Sequence, residues 1–230
     1  MKLTPKAWLL DFDNTLAALE VEVDWEASRR ALEPMLRGAG VDPQLFVEIP
    51  KGNLPLYAAL HARFHAAPGP IDPSRGALLR AASALIERYE LAGVERAQPL
   101  PGALELLREL QDHAAIVTSN SSLTVARWLD RHSIYLPNDR IIGRNSELAL
   151  KPSSQMVALA LARLRAQPDD ALFVGDSLAD LQAARSAGVR FAGVGFSQRA
   201  RQRLQEADAT HVFASPAALL AWIQAGRATA

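Results

Sequence analysis

Six short apolar runs punctuate the chain: AWLLDF at 7–12, AAIVTS at 114–119, RIIG at 140–143, ALFVGD at 171–176, RFAGVG at 190–195 and THVFA at 210–214. None alternates regularly between apolar and polar positions. Such runs are expected of strands buried on both faces, as in a parallel sheet. Most are separated by stretches whose apolar residues recur every three or four positions, the period of a helix with one buried face. These are PGALELLREL, SSLTVARWLDRH, KPSSQMVALALARL, LADLQAARSAG, SQRARQRLQEA and SPAALLAWIQAG. Pro101 suits a first helical turn, Ser121 an N-cap and Gly188 a C-cap. Strand and helix in alternation predict an α/β fold built on a doubly wound parallel sheet.

The alternation breaks after the first run. Residues 17–96 carry helical text only: DWEASRRALEPMLRGAG, GNLPLYAALHARFHA and PSRGALLRAASALIERYELAG. The joints VDP, IPKGNLP and APGPIDP separate these pieces. Pro34 is expected to bend or divide the first of them, because proline removes a helical N–H and crowds the preceding turn. The pattern therefore predicts a core of residues 1–16 and 97–230 with an all-helical domain, residues 17–96, inserted after the first strand.

Composition narrows the function classes. The chain has 230 residues, 49% hydrophobic and 22% charged, enough for a sizeable core. Its formal net charge is zero, so no basic excess points to nucleic acid or an anionic membrane. Without cysteine there is no disulfide, thiolate metal site or cysteine nucleophile. The apolar run behind Lys2 and Lys6 is too short for a signal peptide, and no stretch reaches the ~20 apolar residues of a membrane span. A soluble cytoplasmic protein is expected. Lysine occurs only at Lys2, Lys6, Lys51 and Lys151, against a large excess of arginine.

The polar residues that interrupt the apolar runs carry the chemistry. Asp11 and Asp13 end the first run, Thr118, Ser119 and Asn120 the second, and Asp176 and Asp180 follow the fourth. Ligands of open parallel sheets bind at the carboxyl ends of the strands, so these residues are expected on one rim, with Lys151 beside them. Crowded carboxylates repel one another and are costly to desolvate, which calls for a cation.

DFDNTL, VTSN, the isolated KP and GDSLAD, in that order, resemble the four motifs of haloacid dehalogenase-superfamily hydrolases. PLPGALELLREL and GDSLADLQAARSAGVRFAGVGFS also resemble the phosphoglycolate-phosphatase-like branch, whose helical cap the insert matches in position and size. The resemblance implies a Rossmann-like sheet and a phosphatase acting on a small phosphorylated metabolite. It implies that Asp11 is the nucleophile, forming an aspartyl-phosphate, and that Asp13 is the acid and base. Mg²⁺ would be held by Asp11, the backbone carbonyl of Asp13 and Asp176, with Asp180 orienting them from behind. Thr118, Ser119, Asn120 and Lys151 would hold the phosphoryl oxygens.

Other readings stay open. A hexose-phosphate mutase would use the same four motifs, and a catalytically inactive binding module is possible on the same fold. Asp13 speaks against a dehalogenase, since halide leaves without a proton. His61 and His65 stand one helical turn apart, but no third metal ligand is evident. Lys51 is expected to be a solvated loop lysine, the alternative being that its loop dips toward the substrate. Trp8, Trp25, Trp128 and Trp222 read as packing. The phosphoryl acceptor, the physiological substrate and the oligomeric state are not encoded in these patterns.

Overall fold

All six apolar runs form strands: β1 (Ala7–Leu10), β2 (Ala114–Ser121), β3 (Ile141–Arg144), β4 (Ala171–Gly175), β5 (Arg190–Val194) and β6 (His211–Phe213). They build one sheet in the order β3-β2-β1-β4-β5-β6, every pair parallel. The computed structural model describes residues 5–66 and 71–228; Lys2 and residues 67–70 of the APGPIDP joint lie outside the described residues. The chain steps from β1 outward to β2 and β3, then returns to β4 on the other side of β1. That reversal places the topological switch point between β1 and β4.

Burial on both faces follows the two-residue period of a strand. Ala7 and Leu9 of β1 face one apolar layer with Val117, Phe173, Met156 and Leu181. Trp8 and Leu10 face the other, with Leu106, Val125, Trp128 and Leu219. The first layer is covered by α7 (Gln155–Leu164) and α8 (Leu178–Ser186); the second by α5 (Ala103–Leu110), α6 (Ser122–Arg131) and α10 (Pro216–Ala228). α9 (Gln198–Glu206) connects β5 to β6. No helix among the described residues is long and apolar enough to cross a membrane.

Between β1 and β2 the chain forms α1 (Trp25–Gly38), α2 (Gln44–Glu48), α3 (Asn53–Phe64) and α4 (Pro73–Val94). Their buried leucines, among them Leu32, Leu36, Leu56, Leu60 and Leu79, join the same apolar cluster as Leu9 of β1. The two crossings into and out of this stretch lie side by side: Ala18 N–H donates to Gln98 O at 2.9 Å and Leu100 N–H to Leu16 O at 2.9 Å.

Three local expectations change. α1 runs undivided through Pro34, which sits on the exposed side of the helix while Leu32 and Leu36 anchor the buried side. Pro101 lies in the turn before α5 instead of inside its first turn. Gly102, at φ +81°, starts the helix, and a Cβ there would stand 2.5 Å from Ala217 Cα, so glycine lets α5 and α10 approach. The short helix α2 occupies QLFVE, the stretch between the VDP and IPKGNLP joints to which the pattern assigned no element. Ser121 does cap α6, accepting from Thr124 N–H, and Gly188 follows α8 at φ +70°.

Candidate active site

Asp11 leaves the end of β1 with its N–H still bonded to Val174 O of β4 at 2.8 Å. The chain then turns tightly: Leu16 and Ala17 N–H both donate to Phe12 O, and Asn14 adopts φ +57°. This turn brings Asp13 back toward the start of the insert. Its Oδ1 accepts from Leu19 N–H at 3.0 Å and Glu20 N–H at 2.9 Å. The Asp13 carboxyl is therefore held in place from the insert side, while Asp11 points from the sheet.

Lys151 links β1, β2 and the first turn of α8. Its Nζ lies 2.5 Å from Asp11 Oδ1, 2.5 Å from Asp180 Oδ1 and 3.2 Å from Val117 O of β2. The residue precedes the start of α7 by a short turn, where the sequence suggested the head of the helix itself. Asp180 divides its two oxygens. Oδ1 meets Lys151, and Oδ2 accepts from the N–H and hydroxyl of Ser177, completing a capping box on α8. Gly175 makes room for this: a Cβ there would fall 2.7 Å from the Asp180 side chain.

Asp176 completes the cluster. One oxygen each from Asp11, Asp176 and Asp180 lies within 4.8 Å of the others, the only such group of three potential metal ligands among the described residues. Burial raises the carboxyl pKa of Asp11 and, further, that of Asp176; the neighbouring carboxylates push the same way, and Lys151 opposes them. Burial, opposed chiefly by the Glu20 N–H, pushes Asp13 up to about 7. Burial works against the charge of Lys151 too, but its two carboxylates hold it protonated, above the usual lysine range. Three carboxylates against one ammonium leave negative charge in a poorly hydrated place. An all-oxygen donor set of that charge suits a hard divalent cation.

Thr118, Ser119 and Asn120 occupy the irregular end of β2, past a register shift that begins after Val117. Thr118 is buried, and its Oγ1 donates to Asn120 Oδ1 at 3.0 Å while accepting Asn120 N–H at 3.2 Å. The Asn120 amide is also tied to Glu90 at 3.0 Å. Sequence reasoning missed Glu90, on α4, and its partner Arg144, at the end of β3. Both side chains are completely buried and paired at 2.8 Å. The only signals were a carboxylate inside an otherwise helical apolar stretch and an arginine closing a strand, and nothing in the pattern joined the two.

The remaining candidates fall outside this cluster. His61 and His65 stack with ring centroids 4.0 Å apart, and His61 is buried and held neutral by desolvation, at about 4. Lys51 is exposed. Its neighbours Gly52–Pro55 line an open space of about 310 Å³ together with Asp13, Glu20 and Trp25. Trp8 and Trp128 are core residues, Trp128 bonding Ala97 O through its indole N–H at 3.0 Å; Trp25 and Trp222 pack at the margin of the core.

Residues 72–194 match the family of haloacid dehalogenase-like hydrolases. A phosphoglycolate phosphatase of Caulobacter vibrioides is 32% identical over 139 residues, which is 57% of this chain and only 56% of that enzyme's length. An N-acetylmuramic acid 6-phosphate phosphatase of Pseudomonas aeruginosa is 26% identical over 192 residues, 82% of this chain and 81% of the relative. Among solved structures, a hydrolase from Pseudomonas syringae shares the fold with a TM-score of 0.64 at 20% identity, covering 95% of this chain and 97% of that one. CbbY from Rhodobacter sphaeroides, solved in complex with phosphate, does so with a TM-score of 0.59 at 24% identity, covering 94% and 96%.

Proposed function

The chain belongs to the haloacid dehalogenase-like hydrolases, and from that premise we propose that it is a magnesium-dependent phosphatase acting on a small phosphomonoester. One observation carries the reading. At the switch point between β1 and β4, a buried lysine holds the carboxylate that faces out of the sheet, with two further carboxylates within 4.8 Å. Lys151 keeps Asp11 ionised against the effect of burial, which a nucleophilic carboxylate requires.

In this reading Asp11 attacks phosphorus and the bond to the leaving oxygen breaks, giving an aspartyl-phosphate. Asp13, whose pKa near 7 lets it carry a proton at neutral pH, gives that proton to the leaving oxygen. In the second step Asp13 takes a proton from the water that attacks the same phosphorus. Inorganic phosphate departs and the Asp11 carboxylate is restored. Thr118 receives a phosphoryl oxygen through its hydroxyl, and Lys151 offsets the developing charge. Mg²⁺, when bound, would be held by Asp11, Asp176 and the carbonyl of Asp13, and would neutralise charge on the transferring group. Asp180 orients Lys151 through the 2.5 Å ion pair and so acts on Asp11 indirectly.

Helices α1–α4 serve as the cap over this rim. The space of about 310 Å³ between Asp13 and the Gly52–Pro55 segment would seat the leaving group, which fits a small metabolite better than a polymer. The names of the relatives, a phosphoglycolate phosphatase and a sugar-phosphate phosphatase, are consistent with that size class. The test is hydrolysis of an aryl phosphate and a panel of small phosphomonoesters with Mg²⁺ present. Turnover should be measurable in the native protein and at least about 10³-fold lower in Asp11→Asn, with the melting temperature little changed. Comparable turnover in the variant would refute the nucleophile.

A further inference from the structure

We propose that Glu90, carried on the last helix of the insert, is a positioning residue for the phosphate-binding turn, acting through Asn120 on the Thr118 hydroxyl. The proposal rests on the reading above that this turn receives phosphoryl oxygens. It starts from an expensive feature: Glu90 and Arg144 are charged side chains with no solvent exposure. Buried ion pairs contribute little net stability compared with apolar residues of similar volume, so stability alone does not explain one here.

The pair grips three consecutive residues. Arg144 forks onto Glu90 at 2.8 and 3.0 Å, and the same Nη1 donates to Ser119 O at 2.9 Å. Glu90 Oε1 accepts from Asn120 Nδ2 at 3.0 Å, and Oε2 from Ser121 N–H at 3.0 Å. Residues 119, 120 and 121 are thus each fixed by one member of the pair, at the point where β2 leaves its regular register. Arg144 also bonds Ser83 of α4, through Nε to its hydroxyl at 3.1 Å and Nη2 to its carbonyl at 3.3 Å, so two separate points of that helix are engaged.

The chemistry of the partners sets the direction of the relay. A carboxylate only accepts, so Glu90 compels Asn120 to present its NH₂ to it. The amide oxygen must then face Thr118, where it takes the hydroxyl proton at 3.0 Å. Asn120 N–H meanwhile holds the Thr118 oxygen at 3.2 Å. Thr118 Oγ1 is thereby fixed in position by the Asn120 N–H on its oxygen and the Asn120 amide oxygen on its proton, and an arriving phosphoryl oxygen takes that proton over from the amide oxygen. Asn120, expected from the sequence to touch substrate, bonds Glu90 through its NH₂ and Thr118 through its amide oxygen.

The experiment uses the full chain with saturating Mg²⁺ and reads kcat and KM for an aryl phosphate, inhibition by inorganic phosphate, and melting temperature. Asn120→Ala leaves the ion pair intact but cuts the relay. KM and the phosphate inhibition constant should both rise about tenfold or more, the scale of one oriented hydrogen bond to a charged group, with kcat falling less. Glu90→Gln should give the same pattern, and Glu90→Asp replaces it should the glutamine variant not fold. The double variant should lose no more phosphate affinity than the worse single variant, because both cut one relay. Unchanged phosphate inhibition in Asn120→Ala, or additive losses in the double variant, would overturn the proposal. A native protein that neither turns over aryl phosphate nor binds phosphate would overturn the phosphatase reading first and this inference with it.

Discussion

Asp13 shows how much of a residue's chemistry depends on what the next few residues do. Two positions beyond Asp11, it has left the strand, and the Phe12–Ala17 turn returns it to the backbone amides of Leu19 and Glu20. Those two bonds favour its ionised form, yet desolvation outweighs them and leaves the group near 7, poised between acid and base. Asp13→Asn should therefore cost alkyl phosphates, whose leaving oxygen needs a proton, about 10²–10⁴-fold in turnover, and aryl phosphates at least tenfold less. Parallel losses across a series of leaving groups would remove the acid role. Asp11, Asp13, Thr118 and Asp176 were legible as site candidates because each is a polar residue at or next to the end of an apolar run, and Lys151 and Asp180 through the KP and GDSLAD motifs. Glu90 and Arg144 were not, since a charge on a helix or at a strand end is ordinarily solvated, and only folding brings these two together without water.

At the scale of elements, the β4–α8 junction holds the site together through one missing side chain. Gly175 lets Asp180 fold back over the end of β4, so that one oxygen caps α8 and the other meets Lys151. Gly175→Ala should force Asp180 to shift. We expect a fall in kcat/KM of about 10²-fold, as small displacements of positioning groups produce, and a melting temperature lower by several degrees. A fully active, equally stable variant would show that Asp180 need not stand where it does. The sequence located most elements because their periodicity is strong, and it failed at α2, at Pro34 and at Pro101 for local reasons. Five residues are too few to show a helical period, an exposed proline can be tolerated where both flanking leucines are buried, and Gly102 sits ahead of α5 where a left-handed φ and the nearness of Ala217 leave no room for a side chain.

At the scale of the whole molecule, three carboxylates and one lysine share the rim, and the charge they leave unbalanced invites a divalent cation. Treatment with EDTA should abolish phosphatase turnover, Mg²⁺ should restore it, and Mg²⁺ should raise the melting temperature of the native protein but not of Asp176→Asn. Turnover indifferent to chelation would end the metal reading. The insert's crossings at Leu16–Leu19 and Gln98–Pro101 are bonded side by side, and α4 is fastened to the end of β2 by a buried ion pair that is costly to separate. By itself the sequence determined the parallel α/β sheet, the helical stretch after its first strand and the placement of polar candidates at strand ends, since these follow from hydrophobic period and from the rule that strands present their carboxyl ends. Tertiary structure alone decided which carboxylate pairs with Lys151, how far burial raises each acid, and that a glutamate 30 residues before Asn120 in the chain sets the turn around it. Those outcomes depend on distance and dielectric, and neither is a property of residues read one after another.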